Sequence, residues 1–233
     1  MDPTLYKANM MYLTRSRHYA VGAALGFGNG GWNGSSATLE AMKAFGYGTD
    51  TPDPRLDRTY YTGKVMVNGQ YVEADGKVLE YKPLSVKLKF DKSDADMKVA
   101  GARMFKYEAD PAATNDGKLQ HNDYVLFRYS DVLLMYAEAE NYLNNGPTEA
   151  AKAAYEQVRL RAFAGDASRI GTTPSTYDTF FKAIVKERAF ELATEGWRRT
   201  DLIRWNLLAE TLAETKANTE KLAMREVPYN EVK

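Results

Sequence analysis

The stretch "KERAFELATEGWRRTDLIRW", from Lys186 to Trp205, combines three acids at a spacing of four residues with four arginines. Because residues four apart are neighbours on a helix surface, Glu187, Glu191 and Glu195 fall on one stripe. Like charges on such a stripe repel each other unless cations lie between or opposite them. The pattern therefore predicts a helix whose acidic stripe is held by arginines.

Arginine suits this purpose because its guanidinium group pairs with a carboxylate through two hydrogen bonds and so fixes one helix against the next. Arg159 and Arg161 lie in a preceding predicted helix and add to the arginines of the stretch itself. We therefore expect an interhelical network of structural ion pairs, formed by Glu187, Arg188, Glu191, Glu195, Arg198, Asp201 and Arg204.

Two other uses of the acidic stripe have to be weighed against this network. A glycoside hydrolase needs two acids in a cleft with separated pKa values, and nothing in the spacing shows that these acids face open space. A metal site would draw on histidine, yet His18 and His121 lie far from the stripe in the sequence. We expect neither a metal nor a cofactor.

From Asn122 onward the sequence is typical of paired helices. The first pair is predicted over 130–144 and 148–162. The short "NNGPT" turn between them makes the two helices antiparallel neighbours. One stripe of the first helix carries four apolar residues, namely Val132, Tyr136, Ala139 and Leu143.

The second helix pair is predicted to begin with Thr173 as its N-cap and Pro174 at the first helical position. Gly196 is expected to end that helix, and "RRTDLIRWNLLAETLA" then supplies the fourth. The apolar face of the third helix is predicted to consist of Phe181, Ile184, Val185 and Leu192. Helix pairs of this kind are tetratricopeptide-like, although the two pairs do not repeat at that motif's strict period.

Residues 1–121 are rich in loops, so we predict a loop-rich region over 1–121 and a helical scaffold over 122–233 in a mainly α fold. A short helix, "SATLEAMKAF", is expected after a Ser35 or Ser36 cap. The turns Asn68-Gly69 and Asp75-Gly76 tolerate the positive φ that two-residue hairpins require, which predicts a small antiparallel β meander. "LSVKLKF" (residues 84–90) alternates apolar and polar side chains and predicts one further strand.

Composition excludes several classes of function. Lys+Arg and Asp+Glu both total 31, and a zero formal charge disfavours a protein that binds nucleic-acid phosphates. The chain has no cysteine, which excludes disulfides, thiol catalysis and thiolate metal sites. No apolar run is long enough to span a bilayer, and the first residues do not resemble a signal peptide. Taken literally, the sequence predicts a soluble chain without a targeting signal; the equal alternative is a fragment whose targeting signal lies upstream.

Three segments of the second half resemble, in order and spacing, the C-terminal part of the SusD/RagB proteins: "FRYSDVLLMYAEAENYL", "AYEQVRLRA" and "AIVKERAFELATEGWRRTDLIRW". "GGWNGSSATLEAMKAF" and "DPRL" are similar to the family's middle region, so the resemblance extends from about Trp32. We therefore expect the chain to correspond to roughly the C-terminal half of such a protein.

The SusD/RagB proteins are surface lipoproteins of the outer membrane that capture glycans, or in some members peptides, for a SusC-like TonB-dependent transporter. The resemblance implies the same role for this protein. It implies a tetratricopeptide-like scaffold with an irregular, loop-rich binding region and no catalysis. It also implies that the Glu/Arg helix is scaffold. Family members are anchored through a lipidated cysteine, and this chain contains none.

A site for sugars combines a flat aromatic side chain with hydrogen-bonding amides and charges, because sugars have an apolar C–H face and a polar rim. "GNGGWNG" and the following loops offer such groups. We expect the ligand at Trp32, Asn29, Asn33, Tyr47, Tyr60 and Tyr61. The alternatives are that the tryptophan folds back on the scaffold and that one of the two adjacent tyrosines points inward.

Two further motifs are weaker. Gly26, Gly28 and Gly31 have the spacing of a dinucleotide fingerprint, but no strand–turn–helix context follows them. "DKSDADMKVAG" offers three aspartates (Asp91, Asp94 and Asp96) to calcium, yet it lacks the EF-hand spacing and its closing glutamate. We interpret the second motif as a solvated turn.

The sequence therefore leaves three alternative classes of function. The first is non-catalytic capture of oligosaccharides, or alternatively of peptides, for an outer-membrane transporter. The second is a helical adaptor that binds only protein, and the third is a glycoside hydrolase. The aromatic and glycine-rich loop favours the first class over the second. The lack of a convincing acid pair, triad or metal cluster in the sequence disfavours the third.

Overall fold

The computed structural model describes residues 14–27, 31–32, 35–85, 99–107, 109–110, 120 and 122–226, the last five of these as helix backbone. These residues form eight helices and six two-residue strands. The strands associate as three separate antiparallel pairs. The prediction of a mainly α fold with a small antiparallel β region is confirmed, although the predicted meander is present as separate strand pairs.

The chain divides into two compact units. One unit, here the mixed unit, contains residues 1–51, 56–124 and 207–233; the other, the helical unit, contains residues 52–55 and 125–206. This division differs from the predicted boundary after residue 121 in three places. Residues 52–55 belong to the helical unit, whereas residues 122–124 and the last helix belong to the mixed unit.

The helical unit is built from four helices: α4 (Tyr129–Leu143), α5 (Glu149–Ala162), α6 (Tyr177–Glu191) and α7 (Trp197–Arg204). α5 begins where the Thr148 hydroxyl accepts a hydrogen bond from the Ala151 N–H at 3.1 Å, which satisfies one of the unpaired donors of a first turn. The first three helices enclose an apolar core, formed by Leu134, Ala137, Ala151, Ala154, Tyr155, Val158, Phe180 and Ile184.

The second predicted helix pair begins and ends differently from the prediction. α6 starts at Tyr177 because Thr176, not Thr173, is its N-cap and accepts from the Thr179 N–H. α6 ends at Glu191, and Gly196 is the N-cap of α7 with a φ of 87°, a conformation that glycine adopts readily. The predicted fourth helix is in fact two helices, α7 and α8 (Leu208–Glu226).

The apolar stripe of α4 that the periodicity identified does not face the core. Its four residues, Val132, Tyr136, Ala139 and Leu143, are all exposed. The buried face instead carries Leu134 and Ala137 together with polar residues such as Asn141. The Asn141 amide donates to the Tyr177 carbonyl at 3.1 Å, so α4 is oriented by polar residues that have partners inside the unit.

The mixed unit contains α1 (Tyr19–Ala24), α2 (Leu39–Ala44), α3 (Leu56–Thr59) and α8, with β1 (Tyr60–Tyr61), β2 (Met66–Val67), β3 (Gln70–Tyr71), β4 (Glu73–Ala74), β5 (Lys77–Val78) and β6 (Arg103–Met104). β1 pairs with β6, β2 with β3, and β4 with β5. α8 is tied to α2 by the Asn218 amide, which donates to the Glu40 carboxylate at 2.6 Å. The apolar core of the mixed unit contains Val21, Tyr61, Val65, Val72, Leu79 and Tyr81.

The two hairpin turns lie where the sequence predicts them. Asn68 and Gly69 join β2 to β3 with φ values of 51° and 77°, and Asp75 and Gly76 join β4 to β5 with 52° and 74°. Two successive positive φ values are the geometry of a type I′ turn, which matches the twist of the paired strands.

The N-cap of α2 is Thr38, whose hydroxyl accepts from the Ala41 N–H at 3.2 Å, and not Ser35 or Ser36. The strand predicted over residues 84–90 lies mostly outside the described residues. Within the part of the chain that the structure describes, no helix combines the length and the apolar character needed to cross a bilayer.

Candidate functional site

The acidic stripe of α6 is buried and held by arginines. The side chains of Glu187 and Glu191 are 1% and 0% exposed. Arg55 donates to both, at 2.6 Å to Glu187 and at 3.1 Å to Glu191. Arg159 approaches the second oxygen of Glu187 at 2.8 Å, and Arg161 approaches Glu191 at 2.5 Å. Each carboxylate therefore faces at least two guanidinium groups.

Glu195 lies beyond the end of α6 at Glu191, and so is not on the helix with Glu187 and Glu191 as predicted, but Arg128, immediately before α4, joins it to them. Its Nε and Nη2 atoms donate to the two oxygens of Glu195 at 2.8 and 2.9 Å. The same side chain bonds to the carboxylate and the backbone carbonyl of Glu191. Burial alone would raise the pKa of Glu191. The hydrogen bond from Arg128 and the charges of Arg128, Arg161 and Arg55 outweigh burial and lower that pKa to about 2.

A second group of ion pairs centres on Asp201 of α7. Arg188 donates to it from α6, and Arg204 donates from the next turn of α7 at 2.9 Å. Arg188 also donates to Asp131 of α4 at 2.6 Å. Arg204 pairs in addition with Glu138 of α4, and the Trp205 indole donates to the same carboxylate at 2.7 Å. These contacts join α4, α6 and α7.

The network differs from the predicted one in its cations and in several of its acids, since Asp53, Asp131 and Glu138 were not predicted. Arg198 lies at its edge, where its guanidinium donates to the Val185 carbonyl at 3.0 Å. Arg55 and Arg128, which the sequence reasoning missed, supply the shared cations. Asp53 holds Arg55 in place by accepting from its Nε at 2.9 Å and from its Nη2 at 2.8 Å. Arg55 belongs to "DPRL" and Arg128 to "FRYSD", two segments that resemble the family. No spacing rule relates either arginine to the acids of α6.

This arrangement leaves the acidic stripe little room for chemistry. A general acid or nucleophile must reach its substrate and change its charge or bonding during the reaction. Glu187 and Glu191 are enclosed, and guanidinium groups stabilise the charged form of Glu191. The network has the geometry of a structural clamp.

Trp32, the predicted aromatic platform, is 59% exposed. The preceding Gly31 donates its N–H to the Ser16 carbonyl at 2.5 Å. A Cβ atom at Gly31 would lie only 2.3 Å from the Arg15 carbonyl oxygen, so this close approach requires glycine. The tryptophan is therefore presented by a backbone contact to residues 15 and 16. Asn29 and Asn33, its predicted partners, lie outside the described residues.

The predicted tyrosines are less accessible than a stacking platform requires. Tyr47 is half-buried, whereas Tyr60 and Tyr61 are only 7% and 6% exposed. Tyr60 packs edge-on against Phe45, and Tyr61 stacks between Tyr81 and Phe105. Burial raises the pKa of Tyr60 and of Tyr61 to about 12. Both rings are core residues, contrary to the prediction that either is an open platform.

An open cavity of about 770 Å³ lies in the mixed unit, and the sequence reasoning did not anticipate it. Its described lining combines aromatic, apolar, amide and charged side chains. These are Thr14, Arg15, Leu25, Asp57, Arg58, Tyr61, Met66, Val67, Asn68, Met104, Phe105, Lys106, Tyr107 and Ala109. No period or motif connects these residues, because they come from five separate segments.

The cavity wall has an aromatic part and a polar part. The Tyr61 and Phe105 rings stack with centroids 4.6 Å apart, and Tyr61 also stacks on Tyr81, so the half-buried Phe105 is the more accessible of the two rings. Asn68 reaches it from the β2–β3 turn. Arg15, against whose backbone Gly31 packs, is also a lining residue, which connects the segment before Trp32 to this wall.

The described residues contain no group of three or more side chains able to hold a metal ion. The aspartates of "DKSDADMKVAG" lie outside the described residues. Gly26 follows the end of α1 with a φ of 78°, so the first glycine of the motif closes a helix. A dinucleotide fingerprint opens a helix after a strand, and the segment does not fit it.

Comparisons with known proteins agree with the family resemblance. The sequence matches the model of the SusD family over residues 8–233. It is 31% identical over 199 residues to a SusD-like protein of Formosa agariphila, covering 81% of this chain and 36% of that protein. A second SusD-like protein of the same organism is 36% identical over 101 residues, covering 41% of this chain and 20% of that protein.

Two solved structures have a similar fold. A SusD homolog from Bacteroides thetaiotaomicron matches with a TM-score of 0.53 and 26% identity, over 71% of this chain and 32% of that one. A SusD superfamily protein from Bacteroides vulgatus matches with a TM-score of 0.55 over 89% of this chain and 40% of that one; at 24% identity it supports the fold alone. The chain thus spans about a third of the length of the relatives first named in each comparison. With a family match that covers residues 8–233, this chain belongs to the SusD family.

Proposed function

We propose that this chain takes part in the non-catalytic capture of oligosaccharides at the cell surface, for import through a TonB-dependent outer-membrane transporter. The observation that carries the proposal is the exposed Trp32 next to a segment that lines an open, partly aromatic cavity, in a chain of the SusD family.

The cavity has the size and the mixture of groups that a short oligosaccharide requires. Ligand pockets are commonly about 300–1,000 Å³ in volume, and this one is about 770 Å³. The half-buried Phe105 side chain in the cavity wall offers contact to the apolar C–H faces of sugar rings. Asn68 and the charged side chains of the lining offer hydrogen bonds to hydroxyl groups.

Capture without hydrolysis fits the state of the acids in the helical unit. The carboxylates of α6 are buried, and arginines surround them. In this proposal the helical unit is scaffold, and the ligand binds to the mixed unit.

The cellular setting of the proposal follows from the family. We infer a surface-exposed protein of the outer membrane that works with a SusC-like transporter and is held there by a lipid anchor. These elements depend on the relatives and are part of the proposal.

The test is calorimetric titration of the chain with a panel of oligosaccharides, for the wild type and for Trp32→Ala. Loss of an aromatic platform removes about 1–3 kcal/mol of apolar contact, which corresponds to roughly five- to hundredfold weaker binding. Because Trp32 is exposed, the melting temperature should hardly change. Tyr142→Ala is the matched control, since Tyr142 is a 74% exposed aromatic of the helical unit.

If Trp32→Ala binds oligosaccharides with unchanged affinity, Trp32 is not part of the binding site. Wild-type chain that binds none of the panel would contradict the proposal itself. New reducing ends that appear during incubation with the panel, above a buffer control, would replace capture by catalysis.

A further inference from the structure

Helix α4 has an apolar face that is open to solvent. Every exposed residue of α4 has an apolar or aromatic side chain, and the large ones are between 41% and 76% exposed. Of the acids of α4, Asp131 is buried, and Glu138 and Glu140 are half-buried. The exposed set, here called the outer face of α4, consists of Tyr129, Val132, Met135, Tyr136, Ala139, Tyr142 and Leu143.

The outer face of α4 has the spacing of a helix–helix contact. Its central residues follow one another at alternating steps of three and four, namely Tyr129, Val132, Tyr136, Ala139 and Leu143. Such steps keep side chains on one seam when two helices pack side by side. The run covers about two heptads, which suits one helix of a bundle better than a long coiled coil.

The other two helices of this core do not share the feature. α5 and α6, which the structure describes throughout, have no large apolar residue that is exposed. The exposed residues of α6 are all polar, namely Asp178, Thr179, Lys182 and Lys186. In stacked helix pairs an end repeat needs a polar outer face, whereas an inner repeat buries apolar faces against both neighbours. By this criterion α6 has the surface of an end helix and α4 that of an inner one.

The apolar surface continues before the helix begins. Leu126 and Phe127 are 67% and 66% exposed, and the Phe127 ring lies 5.3 Å from the Trp197 ring between centroids. Scattered apolar residues are normal on a protein surface, but a continuous apolar patch marks a contact with another segment or protein.

We propose that the outer face of α4 is the packing surface for a further helix of the SusD-family polypeptide, from the part of that polypeptide that this chain does not match. The chain covers 36% of the curated relative and 32% of the solved homolog, so the greater part of each lies outside the matched region. Stacked helices contact their neighbours in chain order. α4 is the first helix of the helical unit, so a stack would continue from its open face.

Charge favours such a helix over a second copy of α4. Glu140, next to Ala139 at the edge of the outer face, accepts from the Thr148 hydroxyl at 2.8 Å and from the Asn144 amide at 3.4 Å. Both donors are neutral, so a lysine or arginine of the incoming helix would be favourable opposite this carboxylate. α4 contains three acids and no base, so a second copy of it supplies no cation.

Cysteine labelling tests the proposal, because the chain has no cysteine of its own. Tyr136→Cys places one thiol on the outer face of α4, and Lys182→Cys places one on the polar face of α6 as the matched control. Each variant is made in the chain itself and in a chimera. In the chimera the chain replaces the matching region of the 31% identical Formosa agariphila protein, with any cysteine of that protein changed to serine.

We expect the thiol of Tyr136→Cys to react with a maleimide about tenfold or more slowly in the chimera than in the chain, because a covering helix must open first. The thiol of Lys182→Cys should react at the same rate in both. Leu143→Ala gives a second measurement without a new thiol. It should hardly change the melting temperature of the chain, where Leu143 is exposed, but should lower that of the chimera by several degrees.

Three results would overturn the proposal. The first is an equal labelling rate for Tyr136→Cys in the two proteins. The second is a chimera that does not fold although the relative itself does. The third is a dimer of the chain in light scattering that Tyr136→Glu abolishes and Lys182→Glu retains, because a second copy would then occupy the face. None of these results depends on the oligosaccharide titrations, so the proposed function stands or fails separately.

Discussion

Arg188 donates two hydrogen bonds to Asp201, from Nε at 2.8 Å and from Nη2 at 3.1 Å. Both side chains are almost fully buried. The remaining Nη1 group reaches Asp131 of α4, so one guanidinium fixes the relative positions of three helices. A buried charge that is held on several sides is costly to leave without partners.

Replacement of Arg188 should therefore be strongly destabilising. We expect Arg188→Ala to lower the free energy of unfolding by about 3–5 kcal/mol, because Asp131 and Asp201 would remain buried without it. Arg198→Ala is the matched control, since Arg198 is exposed and bonds to a backbone carbonyl. Urea unfolding of both variants measures the difference. Equal losses of unfolding free energy in the two variants would show that the buried ion pairs of Arg188 contribute no more to stability than the exposed contact of Arg198.

Glu191 offers a second test of the network. Glu191→Gln keeps the shape of the side chain but removes the charge that three arginines approach. We expect a loss of about 3 kcal/mol or more in the free energy of unfolding. Glu149→Gln, at an exposed glutamate paired with Lys152, should change stability by less than about 1 kcal/mol. Ligand binding that vanishes in Glu191→Gln without a loss of stability would instead make this residue part of the binding site.

Stability should fall in acid because of the same residue. The folded-state pKa of Glu191 is lowered from 4.5 to about 2, so its stabilising contribution is present above pH 4.5 and is lost as the pH falls towards 2. The pKa of Asp53 is also lowered: burial opposes this, but the hydrogen bond and charge of Arg55 prevail, and the residue acts in the same direction. We expect a loss on the order of 3 kcal/mol from Glu191 over this range.

Chemical unfolding between pH 7 and pH 2.5 measures this pH dependence. The Glu191→Gln variant should show a shallower decline than the wild type, because its side chain has no proton to gain. Identical slopes would mean that other carboxylates account for the loss in acid.

The two faces of α4 can be compared with one kind of substitution. Leu134 is fully buried, whereas Leu143 on the same helix is 76% exposed. Leu134→Ala should cost about 2–5 kcal/mol, because it removes buried methyl groups and leaves a cavity. Leu143→Ala should cost less than about 1 kcal/mol. Thermal unfolding of the two variants distinguishes the faces, and a larger loss for Leu143→Ala would contradict the orientation of the helix.

Local rules predicted the parts of this fold that depend on local geometry. The turns at Asn68-Gly69 and Asp75-Gly76 follow from the positive φ that these residues tolerate, and no distant contact is needed. Periodicity groups Val132 with Leu143 on one face of α4, but it does not state which face is buried. That choice depends on partners elsewhere in the unit, such as the Tyr177 carbonyl that receives Asn141.

The exposure of the candidate site residues was predicted in part, for a related reason. Trp32 is exposed, as the glycine-rich loop suggested, whereas Tyr60 and Tyr61 are buried. Successive residues of a strand point to opposite sides, and here both sides of β1 are covered by aromatic rings. The cavity escaped prediction because residues that lie far apart in the sequence form it together.

Arg55 has a consequence for how the protein reaches its fold. It lies 132 residues before Glu187 in the chain, yet its guanidinium belongs to the helical unit. A contiguous fragment of residues 125–206 would retain Arg128, Arg159 and Arg161 but lose the cation shared by Glu187 and Glu191. Closing so long a loop is slow and costs entropy, so this pair should form late in folding. The helical unit is therefore assembled from two separate pieces of chain, and synthesis from the N-terminus makes Arg55 long before the acids that it neutralises.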